Sequence, residues 1–121
     1  MPRPFVISMY SFKGGAGRTV CTANLAPRLA AALETTSEMP LLMLDLDLDS
    51  SGLTILLSEG IPSDTTWDTT SLLNNKFNLG SDRQAEMFRR EGMIDVTGEM
   101  AMRDRQGAVR LVAGPKIDAQ Q

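Results

Sequence analysis

The chain has 121 residues, 42% of them hydrophobic and 22% charged, with a formal net charge of −3. That suits one globular domain or part of one, able to bury about two-thirds of its unfolded surface, and it excludes a disordered chain or a global basic field for nucleic acid. Cys21 is the single cysteine and histidine is absent, which excludes an intrachain disulfide and a Cys/His zinc site. No stretch approaches the ~20 apolar residues of a membrane span. No cleavage pattern follows Arg3, so a cytoplasmic protein is expected. Arg83, Arg89, Arg90, Arg103, Arg105 and Arg110 are the candidates for a local basic patch, and they read as solvated surface.

Phe5-Val6-Ile7-Ser8-Met9-Tyr10 is apolar nearly throughout and reads as a parallel strand covered on both faces. Ser11-Phe12-Lys13-Gly14-Gly15-Ala16-Gly17-Arg18-Thr19 follows, and a helical pattern runs from about Arg18 to Leu33. Strand, glycine-rich turn and helix make the context of a phosphate-binding loop. Glycines let successive N–H groups turn toward an anion, and the helix N-terminus adds unpaired donors. Thr19 is placed to offer its hydroxyl to Mg²⁺. Leu25, Leu29, Ala32 and Leu33 share one side of the helix, while Ala23, Ala26, Ala30 and Ala31 permit close approach to a sheet. Pro27 predicts a kink.

A polar connection, Glu34 to Pro40, leads to Leu41-Leu42-Met43-Leu44 and then Asp45-Leu46-Asp47-Leu48-Asp49-Ser50-Ser51-Gly52-Leu53. The leucines predict a second parallel strand that delivers carboxylates at its C-terminal edge, where ligands of open α/β sheets bind. A right-handed crossover would bring this edge to the end of the first strand. On an extended chain Asp45 and Asp47 face one side, roughly 6.5 Å apart. Mg²⁺ is a natural counter-ion for such a pair. A half-exposed edge strand would show the same alternation.

Beyond Thr54 a short helix is expected near Ile55-Leu56-Leu57, a turn at Gly60-Ile61-Pro62, and another short helix around Trp67, Leu72 and Leu73. Ser81 with Gln84 predicts a capped helix to about Glu91. Glu99 to Gly107 reads as a solvent-facing connection, and Val109 to Pro115 as a third strand with its closing turn.

The loop departs from Gly-x-x-x-x-Gly-Lys-Ser/Thr at Phe12 and Arg18, and Lys13 supplies an early lysine. This Lys-Gly-Gly-x-Gly-[Lys/Arg]-Thr arrangement resembles the deviant Walker A loop of the ParA/MinD family. The run DLDLDSSGL resembles the second motif of a subgroup with Arg in the loop, whose members are often N-terminal modules of larger bacterial proteins. The resemblance is strong at 5–25 and 41–54 and weaker after 60. It implies a Rossmann-like P-loop NTPase, a parallel α/β sheet with flanking helices, of which residues 1–121 would be the N-terminal part, ending after the third strand.

It further implies ATP and Mg²⁺ as cofactors, held by Lys13, Gly14, Gly15, Ala16, Gly17, Arg18, Thr19 and Val20, with Thr19 and Asp47 at the metal. Lys13, Asp45 and Asp47 would serve catalysis, Lys13 by reaching across a homodimer. Slow hydrolysis would drive a dimerisation switch. A Walker B strand is not legible in these residues, so a C-terminal half or partner protein is expected to complete the activity. A non-catalytic assembly module and a kinase-type relative stay open as alternatives, although the tyrosine-rich tail of the latter is absent. Direct nucleic-acid or membrane binding is not expected.

Overall fold

The computed structural model describes residues 5–10, 17–47, 50–65, 67–73, 80–100 and 107–115. Helix α1 (Arg18–Ala32) leads to strand β1 (Leu41–Leu44) and the short helices α2 (Gly52–Leu56) and α3 (Thr69–Leu73). Helix α4 (Asp82–Met87) widens into a π-type turn over Phe88–Gly92, and strands β2 (Ile94–Asp95) and β3 (Val109–Val112) follow. The result is a small mixed α/β unit whose sheet has the order β1-β3-β2. Strands β1 and β3 are parallel, pairing Leu41 with Val109 and Leu44 with Val112. Strand β2 runs antiparallel to β3, pairing Ile94 with Leu111.

Two expectations need correction. The sheet is not purely parallel, because the two-residue strand β2, over which no strand is expected from the sequence, runs antiparallel to β3. Among the described residues the run Phe5 to Tyr10 joins no ladder, and it lies exposed, Phe5 at 87% and Tyr10 at 75%. Apolar content makes a segment strand-competent, but a strand exists only where a neighbour accepts its backbone hydrogen bonds. Among the described residues β1 pairs on the β3 side, and Leu42, Leu44 and Leu46 remain exposed.

The core lies between α1 and the β1–β3 pair. It is built from Ala26, Ala30, Met43, Val109 and Leu111, joined by Leu53 and Leu57 and by Ile94, Val96 and Met100. The buried stripe of α1 is therefore Ala26, Pro27 and Ala30, whereas Leu33 is exposed. Small residues let the helix axis approach the sheet, so the alanines rather than the leucines face inward. Pro27 stands within an α1 that continues to Ala32. Thr35 ties the end of this helix to the start of β3: its Oγ1 accepts from Ala108 N at 3.0 Å and is 3.0 Å from the Ala30 carbonyl, to which it donates.

The other end of the sheet is closed by Trp67, which is buried, donates to Glu91 Oε2 at 3.2 Å and packs beside the Phe88 ring. Arg110 on β3 donates to the carbonyls of Arg89 and Met93, fixing the π-type turn over the strand. Ser81 caps α4 as expected, its hydroxyl accepting from Gln84 N.

Asp95 on the edge strand carries a pH dependence. The Thr97 hydroxyl and then the Thr97 N–H hold its carboxyl below the usual aspartate range; slight burial opposes them and Arg110 adds a smaller attraction. A lowered folded pKa stabilises above the unfolded value, and that contribution disappears as pH falls through the folded value. The stability gap between wild type and Asp95→Asn is therefore expected to be constant near neutrality and to narrow below about pH 4. Urea midpoints measured from pH 7 to pH 3 check this. A gap that widens in acid contradicts it.

Candidate functional site

The first turn of α1 opens from Gly17, whose φ of 82° is left-handed, a conformation glycine takes without the Cβ penalty. No side chain caps this end; Cys21 N donates to the Gly17 carbonyl at 2.9 Å, and the N–H groups before it belong to the turn where a helix has no internal acceptors. Arg18 and Thr19 are the first two residues beyond the glycine. Lys13, Gly14, Gly15 and Ala16 lie outside the described residues, as does Asp49. Val20 is described, and its side chain is exposed.

The structure brings this helix start together with the turn after β1. Arg18 Nη2 lies 4.0 Å from Asp47 Oδ2. Thr19 meets the beginning of α2, where a Cβ placed on Gly52 would fall 2.8 Å from Thr19 Oγ1. A side chain at Gly52 would force the Thr19 hydroxyl to turn away from this contact. Arg18, Thr19, Asp47 and Gly52, separated by about thirty residues in the chain, thus share one locality.

The two aspartates do different work. Asp45 is 4% exposed. Its Oδ1 accepts from Asp47 N at 3.1 Å, and its Oδ2 accepts from both the N–H and the hydroxyl of Thr54. The bond to the N–H two residues on is an Asx turn, so the chain bends after Asp45 instead of extending. The expectation that both carboxylates project from one face of a continuing strand is therefore corrected: β1 ends at Leu44. Helix α2 has Ser51 at its N-cap without a side-chain cap bond, and Asp45 provides an acceptor for the Thr54 N–H from outside the helix.

Thr54 continues the chain of bonds, since its Oγ1 accepts from Gly114 N at 2.8 Å. Thr69 Oγ1 donates to the Asp45 carbonyl at 2.7 Å, and Ser51 Oγ is 3.1 Å from both the Asp47 and Pro115 carbonyls. Gly114 is required here because a Cβ would lie 2.6 Å from Ser51 Oγ and 3.2 Å from Asp45 Cγ. The ends of β1 and β3 and the start of α2 are thereby fastened around one carboxylate.

Asp47 is more open. Its carboxylate accepts from Ser50 N at 3.2 Å and from Ser50 Oγ, and it faces Arg18. Among the described residues no group of three or more His, Cys, Asp or Glu gathers as a metal site. Thr19 and Asp47 are two oxygen donors, a set that fits Mg²⁺, which keeps most of its waters and takes few protein ligands.

Sequence reasoning missed Thr54, Ser51, Thr69 and Gly114. The position of Gly114 carried a partial signal, because it follows the apolar β3 segment before Pro115, and Thr54, inside α2, carried none. Thr69 carried none either. Family models, curated proteins and solved structures gave no match to this chain. Among the described residues no helix is long and apolar enough to cross a membrane.

Proposed function

We propose that this chain is the N-terminal, ATP-binding part of a ParA/MinD-like P-loop ATPase domain, in which Mg²⁺-dependent nucleotide binding and slow hydrolysis drive a dimerisation switch. The observation that carries the reading is the meeting of the helix start Gly17–Thr19 with the turn Asp45–Gly52, expressed in the Arg18–Asp47 and Thr19–Gly52 approaches. A phosphate-binding loop needs this juxtaposition of anion-binding donors with hard oxygen ligands.

In this reading the N–H groups of Gly14 to Val20 cradle the phosphates and Arg18 neutralises their charge with a planar fork. Thr19 and Asp47 would hold Mg²⁺, which when bound offsets phosphate charge. Asp45 shapes the turn that presents Asp47. Lys13 reaches the nucleotide of a second copy, as an arginine finger does in trans.

A non-catalytic assembly module is the second reading. It is favoured by the use of both Asp45 oxygens within the fold, which leaves Asp47 as the carboxylate facing Arg18. Calorimetry with a non-hydrolysable ATP analogue and Mg²⁺ is expected to show one saturable site per chain. Light scattering after size exclusion is expected to show a dimer with the analogue and a monomer with ADP. Absence of saturable binding removes the ATPase reading and leaves the assembly module, which needs dimerisation alone; binding with equal masses in all states removes the switch.

A further inference from the structure

Among the described residues strand β1 is paired on one side, by β3. Leu41 N donates to Ala108 O at 2.9 Å and Asp45 N to Val112 O at 3.2 Å, so these residues turn their backbone groups to β3. Alternation along the strand turns those of Leu42 and Leu44 to the opposite edge. Their side chains are exposed too, on the face away from Met43 and α1. An open edge is a template for another strand, and folds usually blunt it with shortness or charge, as Asp95 does on the two-residue β2. The β1 edge carries two leucines instead. Pro40, which has no N–H, bounds it at one end and the bend after Asp45 at the other.

The described residues also include an apolar run that joins no ladder, Phe5 to Met9, and all of it is exposed. We propose that the run of one copy adds as a strand to the β1 edge of a second copy, and reciprocally, without nucleotide. In its own chain the run stands exposed and off the edge, so the acceptor it fits is another chain. When extended, the run puts Phe5, Ile7 and Met9 on one face, which can continue the face of Leu42 and Leu44 side chain by side chain. Its N–H and C=O groups meet those of the two leucines, the means by which strand addition gains affinity. A two-fold pair uses each run and each edge once. The exposed side chains of run and edge amount to roughly 600 Å² per copy, the lower bound of a stable interface at about 1,200 Å² in total. Ordering two runs costs entropy, so association is expected to be weak, with a Kd of about 10–100 µM. The contact goes beyond the nucleotide reading and gives the assembly module its interface. Size exclusion dilutes the chain below that range, so a monomer with ADP on the column agrees with it.

The test is sedimentation velocity of the full chain in EDTA, without nucleotide, from about 1 to about 500 µM. Wild type is expected to pass from monomer to dimer and to stop there. Ile7→Lys spoils the run and Leu44→Lys the edge, and each alone is expected to weaken association at least about tenfold. Both side chains are about half exposed, so the variants should keep the wild-type urea midpoint; where one does not, Phe5→Lys or Leu42→Lys takes its place. The deciding measurement mixes the two variants. The intact run of Leu44→Lys then meets the intact edge of Ile7→Lys, and the mixture is expected to dimerise where neither variant does alone. A wild type that stays monomeric overturns the proposal, as do assemblies that grow beyond the dimer. A mixture no better than its components overturns it too, because contact of run on run or edge on edge has nothing to complement. None of these outcomes touches the nucleotide reading, which is tested at low concentration with Mg²⁺.

Discussion

Gly15→Val is expected to weaken Mg²⁺–nucleotide binding by at least about a hundredfold, a loss of roughly 2.7 kcal/mol. A phosphate loop works by bringing main-chain N–H groups within hydrogen-bond distance of oxygen, and a branched side chain at its centre both blocks that approach and disfavours positive φ. The effect should appear in binding with little change in folding, since the loop precedes the helix that enters the core. Gly17→Ala supplies the contrast. Its site has open space for a methyl group, but φ is 82°, so the cost is backbone strain of about 1 kcal/mol. Calorimetry beside urea denaturation separates the two outcomes. Affinity of Gly15→Val equal to wild type would remove the phosphate-loop reading altogether.

What the residues made legible was local. The α1 pattern, the leucine run of β1, the Val109 strand and the Ser81 cap each follow from periodicity or from a side chain meeting its own backbone a few residues away. The α1 start does meet the acidic turn, through Arg18 with Asp47 and Thr19 with Gly52, but the crossover from a first strand that predicted this has no paired strand at 5–10 among the described residues. What escaped was non-local. Strand β2 is two residues long, and although Ile94-Asp95-Val96 alternates, so short a run competes with many equivalent ones. The run 5–10 is apolar nearly throughout yet joins no ladder among the described residues, since pairing depends on a neighbour that composition does not reveal. The role of Asp45 was hidden for the same reason: its partners Thr54 and, through it, Gly114 are nine and more residues away.

Replacing Asp45 separates a structural carboxylate from a catalytic one, and the expected effect is on stability. Asp45→Ala leaves the Asp47 N–H, the Thr54 N–H and the Thr54 hydroxyl without the acceptor they share, at a place where Asp45 is almost fully enclosed. Each buried donor without a partner costs about 1–3 kcal/mol, and some of that returns as water or rotated hydroxyls relieve it. A net loss of about 3 kcal/mol is therefore expected, a large share of the stability of a small domain. Asp45→Asn retains one acceptor oxygen and turns the other into a donor facing the Thr54 N–H, so it should lose about half as much. Thr54→Val removes the hydroxyl that Gly114 N donates to and should fall in the same range, and combining it with Asp45→Ala should cost less than the sum because the two side chains share bonds. Urea midpoints with unchanged slope measure all three. If Asp45→Ala instead keeps the wild-type midpoint while nucleotide turnover in an assembled protein disappears, Asp45 acts at the phosphates and the fastening of β1, β3 and α2 must rest on the remaining bonds of Ser51 and Thr69.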